Sequence, residues 1–277
     1  GGENVWPHLL ATTLPRYVGN TLVLMTGVGL LTAAVGAGAA WLVTMYRFPG
    51  RDWLQWALLL PLAVPAYVGA YALVDFLEYA GPVQRGLRAV AGWETARDYW
   101  FPPVRTRGAA ILVLSGALYP YVYILARAAF REQSGAVFEV ARALGSGAWA
   151  RFFRVGLPLA RPAIAAGAAV VMMETVNDYG AVDYFAVQTL TTGIFSVWLQ
   201  AGNLAGAAQI ASWMLGLIVL LVTLEKVSRR RSRTHASARA IRPVLAEDLR
   251  GWRAWGATAA CLTPFLGGFV LPVGVLL

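Results

Sequence analysis

Long stretches without a single charged side chain dominate this sequence of 277 residues. They cover residues 17–46, 53–74, 108–126, 162–173, 184–224 and 254–277. About 20 apolar residues cross the hydrocarbon core of a bilayer as a helix, and lipid cannot satisfy the open backbone groups of other structures. The sequence therefore predicts an all-α, polytopic transmembrane helix bundle of about six spans. We place them near 19–46, 53–79, 108–130, 163–181, 206–226 and 254–277, with Pro61 and Pro65 bending the second.

The composition excludes several classes of protein. Charged residues make up 13% of the chain, against about 25% in soluble domains, so a water-soluble fold is not expected. One cysteine, Cys261, and two histidines, His8 and His235, exclude an internal disulfide and argue against a metal site. The only lysine, Lys226, follows no glycine-rich loop, and a P-loop needs a lysine at that place. We therefore assign no metal site, no catalytic residue and no cofactor to this chain.

The positions of lysine and arginine predict the orientation of the spans. If the first span runs from outside to inside, 17 of the 23 basic residues lie on the inner side. Six remain outside, five of them in the loop 80–107. Because positive residues favour the cytoplasmic side, this orientation is preferred, and we expect a multi-pass protein of the bacterial inner membrane.

The ends of the sequence and its Arg-rich segment predict a division into parts. The chain begins with Gly1 and ends inside an apolar run at Leu277, so we expect a fragment of a longer protein. Residues 1–226 form the first transmembrane domain, 227–253 a cytoplasmic linker, and 254–277 the first span of a second bundle. The Arg-rich run 229–233 is predicted to be a positive anchor that keeps this segment on the cytoplasmic side. Binding of anionic lipid or nucleic acid is the alternative interpretation.

The loop 131–162 is patterned more strongly than a simple connection. Residues 138–144 predict a short helix that ends at Gly145, since glycine commonly terminates helices. Residues 148–154 predict a second short helix with aromatic and arginine side chains, ending near Gly156 and Pro158, before the next span starts at Pro162. Aromatic and arginine side chains are typical of protein interfaces. The loop is therefore predicted to be a docking element on the cytoplasmic face.

The same loop resembles the signature loop of ABC-importer permeases. The pattern is Glu-x-Ala-x-x-x-Gly, then nine residues, then an aliphatic residue, x, Leu-Pro, carried here by Glu139, Ala141, Gly145, Val155, Leu157 and Pro158. The resemblance implies the type I importer fold and a loop that sits in a cleft of a separate ATPase subunit. ATP-driven closure of an ATPase dimer, which holds ATP and Mg, would then rock the bundle between inward-open and outward-open states. The coupling residues it implies are Glu139, Ala141, Gly145, Trp149, Phe152, Leu157 and Pro158.

Two further stretches, 60–68 and 174–194, resemble the permeases of ferric iron importers, which commonly fuse two such halves in one chain. The second contains Glu174, Asn177 and Asp178, which a continuous helix would place on one face. Ionisable groups in a membrane span usually face a cavity or a partner, and ferric iron prefers oxygen ligands. These three residues are candidates for the translocation path; helix packing or contact with a periplasmic binding protein is the alternative.

The expected protein is a permease subunit that takes a substrate from a periplasmic binding protein, with ferric iron as the first substrate hypothesis. Thiamine, phosphonate, sulfate or polyamine are alternatives within the same class. The expected partners are the ATPase, the binding protein, a second permease half in the same or another chain, and membrane lipid, with no nucleic acid. A secondary transporter or channel would need no patterned cytoplasmic loop, and a membrane enzyme would need a cluster of catalytic side chains.

Overall fold

The prediction of an all-α membrane bundle is confirmed. The computed structural model describes residues 13–133, 135–232 and 245–277, with the side chains of 228–232 left out. Within these residues, five helices are long and apolar enough to cross a membrane, or six if one bent pair counts as a single span.

The helices follow the order of the apolar runs. In the first half of the chain they are α1 Leu14–Met45, α2 Arg51–Ala57, α3 Ala66–Leu77, α4 Pro82–Ala91, α5 Arg107–Glu132 and α6 Gly135–Ala143. In the second half they are α7 Ala148–Arg151, α8 Leu157–Asn177, α9 Gly180–Tyr184, α10 Leu190–Phe195, α11 Leu204–Ser232, α12 Trp252–Phe265 and α13 Leu271–Leu276. A two-residue parallel pair joins β1, Tyr46–Arg47, to β2, Glu247–Asp248.

Helices α1, α5 and α8 form the centre of the bundle, where small residues allow close approach. A Cβ built on Gly36 of α1 would lie 2.8 Å from Cβ of Val122 and 2.9 Å from the backbone nitrogen of Tyr123, both on α5. A Cβ on Gly167 of α8 would lie 2.8 Å from Cα of Val122. Without a strong hydrophobic force between helices in lipid, such van der Waals packing holds them together.

The second span is broken, as its prolines predict. The 3-10 turn Leu60–Ala63 follows α2, and Pro65 immediately precedes α3. The two helical parts, 51–63 and 66–91, meet at an angle of 94°. A proline removes a backbone donor and clashes with the preceding turn, so two prolines in this short stretch account for the break.

The predicted interruption between the docking loop and the fourth span is wrong. Instead of ending near Gly156 and Pro158, the helix runs on from Ala148 through the π turn Phe152–Gly156 to Asn177. The π turn ends at Gly156 and α8 begins at Leu157, so the amide that Pro158 lacks falls in the first turn after a change of hydrogen-bond pattern. The same helix ends at Asn177, and Asp178 already has an extended backbone, with φ −66° and ψ 132°.

The described residues after 244 begin beside the C-terminal end of α1, where β1 lies. Residues 233–244 of the predicted linker lie outside the described residues, as do the side chains of Arg229, Arg230 and Arg231. The described remainder forms β2 against β1 and continues into α12, where the Thr258 hydroxyl donates to the Pro49 carbonyl at 2.7 Å. The start of α12 is therefore packed directly against the first domain.

Candidate functional site

The loop that the sequence predicts to dock contains α6, α7 and the π turn; we call residues 135–156 the coupling element after this prediction. It lies at the end of the bundle that the distribution of basic residues assigns to the inner side. Gly145 ends α6 with φ +82°. Its amide donates to the Arg142 carbonyl at 2.9 Å, and the Ser146 amide donates to the Ala141 carbonyl at 3.0 Å. This pair of bonds is a Schellman motif, which favours glycine at the left-handed position, and it confirms the predicted glycine break.

Trp41 of α1 anchors the coupling element. Its ring makes edge contacts with Phe130, Phe138 and Phe152, with centroid distances of 5.2, 5.6 and 5.2 Å. Because Phe138 belongs to α6 and Phe152 to the π turn, both parts of the element are fixed to the same indole. Aromatic pairs of this geometry contribute about 0.5–1.5 kcal/mol each beyond the burial of their area.

The opposite face of the coupling element is apolar and exposed. Leu144 is 80% exposed, Trp149 77% and Phe153 55%. The rings of Trp149 and Phe153 stack with a centroid distance of 5.9 Å and an angle of 15°. Large exposed apolar side chains of this kind mark interaction surfaces.

The seven predicted coupling residues fall on both faces of this element and its junction with α8. Glu139, Gly145, Trp149 and Pro158 are exposed. Ala141 is half-buried, and Phe152 and Leu157 are half-buried against the hydrophobic core. Leu144 and Phe153 were not assigned to the exposed face from the sequence. The spacing of four residues between Trp149 and Phe153 could have indicated Phe153, whereas Leu144 lies beyond the break at Gly145.

An ion pair between the coupling element and the linker is a second feature that sequence reasoning missed. Both guanidinium nitrogens Nη1 and Nη2 of Arg151 donate to the Glu247 carboxylate, the latter at 3.2 Å, and Arg142 Nη1 donates to it at 3.4 Å. The Arg151 side chain is only 11% exposed. Hydrogen bonding from Arg151 is the main cause that holds the pKa of Glu247 below its ordinary value. The carboxylate is therefore ionised and fixed at neutral pH.

The three candidate path residues are not gathered into one site. Glu174 and Asn177 are exposed near the outer end of α8, whereas Asp178 is half-buried. One carboxylate oxygen of Asp178 accepts from the amides of Ala181 and Val182 at 3.0 and 3.1 Å. The end of α8 at Asn177 turns Asp178 out of the predicted helical face and into the role of capping α9.

No set of carboxylates, thiols and imidazoles converges in the part of the chain that the structure describes. There, no group of three or more His, Cys, Asp or Glu side chains is placed to hold a metal ion. A cavity of about 630 Å³ between α1, α3, α5, α12 and α13 has no charged residue in its lining, and Glu174, Asn177 and Asp178 do not line it.

Comparison with known protein families gives a match over most of the chain. Residues 29–234 match the family model described as the binding-protein-dependent transport system inner membrane component. The Fe(3+)-transport system permease protein FbpB 2 of Haemophilus influenzae is 24% identical over 268 residues, which are 96% of this chain and 47% of that protein. The chain thus spans about half the length of that relative.

A second relative and a solved structure extend the comparison. The molybdenum transport system permease protein ModB of Escherichia coli is 30% identical over 216 residues, covering 73% of this chain and 90% of that protein. A bacterial alginate ABC transporter, solved in complex with a periplasmic protein that holds an alginate pentasaccharide, superimposes with a TM-score of 0.66 at 20% identity. The match covers 84% of this chain and 85% of that one, so the fold is shared.

Proposed function

This chain belongs to the family of binding-protein-dependent transport system inner membrane components, and from this membership we propose that it is a permease subunit of an ATP-driven ABC importer in the bacterial inner membrane. The observation that carries the proposal is the coupling element. Its exposed apolar face, with Leu144, Trp149 and Phe153, lies at the inner end of the bundle. Its other face is fixed to α1 through Trp41.

The motor of such a transporter belongs to another subunit in this proposal. An ATPase dimer carrying ATP and Mg receives the exposed face of the coupling element, and a periplasmic binding protein delivers substrate at the outer ends of the spans. A second permease half, in the same or another chain, completes the path. Since the helix runs unbroken from Ala148 to Asn177, a displacement of Trp149 is passed along α8 to the outer side. Packed elements of this kind switch between discrete arrangements.

Substitution of Trp149 tests the docking step. In this proposal the exposed Trp149 side chain becomes buried when the ATPase binds. Trp149→Ala removes this contact, and truncations of central interface residues cost about 2–4 kcal/mol of binding free energy. ATPase binding should weaken by roughly 30-fold or more, which follows from a factor of ten for each 1.4 kcal/mol. The measurement is the amount of ATPase subunit that co-purifies with the permease, together with substrate uptake in proteoliposomes.

Trp100→Ala is the matched control, because Trp100 is 82% exposed in the outer loop. This variant should retain both ATPase binding and uptake. Undiminished co-purification and transport by Trp149→Ala would contradict the docking proposal, provided that both variants insert into the membrane in equal amounts.

We propose ferric iron as the substrate. The alignment with the iron permease relative extends over 96% of this chain, which supports this choice. Glu174 and Asn177 supply exposed oxygen groups near the outer end of α8, and oxygen ligands suit a hard cation. In this proposal they form transient contacts with the substrate as it enters, while Asp178 holds α9 in position.

A molybdenum oxyanion is the second candidate. It is favoured by the 30% identity with the molybdenum permease, of which 90% is covered. An oxyanion would be repelled by Glu174, so the two candidates predict opposite effects of neutralising this residue.

The test is uptake by the reconstituted transporter with Glu174→Gln. Ferric iron as substrate predicts lower iron uptake in this variant, whereas molybdate as substrate predicts unchanged or higher molybdate uptake. Glu94→Gln, in the exposed outer loop, is the control for loss of one negative charge. Iron uptake that is unaffected by Glu174→Gln, or absent in the wild type, would contradict the iron proposal but leave the docking proposal standing.

A further inference from the structure

A basic pocket lies at the inner end of the bundle, apart from the coupling element. It has a volume of about 350 Å³ and is formed by the last turn of α1, the start of α2, the end of α5 and the linker before β2. Four arginines from three parts of the sequence line it, together with Thr44 and Gln55: Arg47, Arg51, Arg127 and Arg131. No acidic residue is among its lining residues.

Two of the four arginines are held in place by neutral groups. Arg51 Nε donates to the Val43 carbonyl at 2.7 Å, and Arg127 Nη2 donates to Gln55 Oε1 at 2.6 Å. Arg51 Nη1 also contacts the Asp52 carboxylate at 3.4 Å. The Asp52 side chain is almost fully exposed, so solvent screens this ion pair. The guanidinium groups are therefore oriented, and their charge is only slightly offset.

The other two arginines make no ion pair among the described residues, although the exposed Asp248 is the register partner of Arg47 in the β1–β2 pair. Arg47 and Arg131 are exposed, and among residues 13–133, 135–232 and 245–277 no ion pair or side-chain hydrogen bond is made by either. The Thr44 hydroxyl is buried and has no hydrogen-bond partner among the described residues. The site is thus electropositive, with unused donors.

The surroundings of the pocket point to the headgroup layer of the membrane. The residues that form it end or begin spans on the side that the positive-inside rule assigns to the cytoplasm. Trp53 and Trp56 are exposed on the adjacent α2, and the Arg127 guanidinium lies 5.3 Å from the centre of the Trp56 ring. Tryptophan is enriched at membrane–water interfaces, and basic pockets between spans on the cytoplasmic side bind anionic headgroups.

We propose that this pocket binds a phosphate group, and that an anionic phospholipid of the inner leaflet supplies it. Guanidinium groups bind phosphate oxygens through paired N–H donors, so the four arginines offer more donors than one phosphate can use. The bound headgroup would join the ends of α1, α2 and α5 to the linker. Inorganic phosphate has the same chemistry and is the alternative source. This inference does not depend on which substrate the transporter carries.

The experiment uses the full chain in its assembled transporter, purified in neutral detergent and examined by native mass spectrometry. The probes are dioctanoyl phosphatidylglycerol, dioctanoyl phosphatidylcholine and inorganic phosphate. The test variant is Arg47→Gln with Arg131→Gln, since neither side chain holds another residue in place. The control is Arg250→Gln with Arg253→Gln, two exposed residues near the same membrane face that do not line the pocket.

We expect the wild type and the control to retain one phosphatidylglycerol and no phosphatidylcholine. The test variant should bind phosphatidylglycerol about 30-fold more weakly, because each arginine near an anionic surface contributes roughly a fivefold factor. The free anion would be identified as the source if the wild type bound inorganic phosphate but did not retain phosphatidylglycerol, and if the test variant lost the binding of inorganic phosphate. Equal losses in the two double variants, or a wild type that binds neither probe, would overturn the proposal.

Discussion

Gly156 is the place where the coupling element approaches α1 most closely, and it offers a direct test of how the element is anchored. Gly156 is buried, and its carbonyl accepts from Gln133 Nε2 at 3.2 Å. A Cβ built there would overlap Cζ3 of Trp41 and would lie 2.9 Å from Cη2 and 3.1 Å from Cε3 of the same ring. The indole cannot easily move away, because Phe130 and the two aromatic residues of the coupling element enclose it.

The expected effect of Gly156→Ala follows from these distances. Carbon atoms pack best at about 3.5–4.0 Å, so the helix must shift by more than roughly 1 Å. Overpacking of a filled site costs about 1–3 kcal/mol, and the direct overlap with Trp41 places this substitution in the upper part of that range, at about 2–3 kcal/mol. The better helix propensity of alanine offsets about 1 kcal/mol. The net loss of about 1–2 kcal/mol should lower the apparent Tm by about 2–8 °C for a chain of this size.

Thermal unfolding of the detergent-solubilised protein measures this shift, and uptake in proteoliposomes measures its consequence for coupling. Gly216→Ala is the matched control, since a Cβ there meets nothing within 4 Å and its Tm should not fall. Adding Trp41→Phe to Gly156→Ala should recover part of the loss in Tm, because the smaller ring leaves room for the new Cβ. The free-energy effects of substitutions at two residues in contact are not additive. A Tm at the wild-type value, or fully additive losses in the double variant, would refute the reasoning.

Three further substitutions test the remaining contacts. Gly145→Ala places a side chain on a residue with φ +82°, which costs about 1–2 kcal/mol of conformational energy, and this variant should reduce uptake. Gly147→Ala is the control, because Gly147 has φ −66°, and it should leave uptake unchanged. Asp178→Ala should lower Tm by about 2–4 °C through loss of about 1 kcal/mol of capping, whereas Asp178→Asn should retain most of it. The Glu247 carboxylate stabilises docking of the linker fully above the pKa of a free glutamate, about 4.3. This stabilisation is lost as the pH falls through the lowered pKa of Glu247 in the folded protein. Proteolysis of the linker should therefore increase in acid for the wild type, and already at neutral pH for Glu247→Gln.

The spans, the broken second helix and the glycine break in the coupling element could be predicted because each depends on residues close together in sequence. A run such as 17–46 is long enough to cross a bilayer whatever it packs against. Pro61 and Pro65 lack backbone donors in any surroundings, and Gly145 tolerates a positive φ without help from neighbours. Local chemistry therefore accounts for these elements.

The path of the helix beyond Gly156 and the position of Asp178 could not be predicted in this way. Proline and glycine near 156–158 usually end a helix, but the π turn Phe152–Gly156 shifts the hydrogen-bond pattern so that Pro158 falls in the first turn of α8, where its missing amide is tolerated. Asp178 leaves the predicted face because its carboxylate finds two free amides at the start of α9. In both cases, backbone hydrogen bonding outweighed the pattern of residue types.

Contacts between distant segments had no local pattern to indicate them. Arg151 and Glu247 are 96 residues apart, and each taken alone is an ordinary charged residue in a loop. Trp41 reads as one more aromatic residue in an apolar span, although it is the anchor of the coupling element. Only the parallel pairing of β1 with β2 brings the linker to the place where these contacts form.

Three of the contacts between the coupling element and the other described residues differ in where they can transmit a displacement. Trp41 connects it to α1, and the unbroken helix carries it through α8 to Asn177, 28 residues beyond Trp149 and roughly 42 Å away at 1.5 Å per residue. The pair Arg151–Glu247 connects it to the segment that enters α12. A motor that pushes on Trp149 therefore acts on the start of the following span as well as on α8. If Glu247→Gln frees the linker but leaves uptake unchanged, α8 alone transmits the movement.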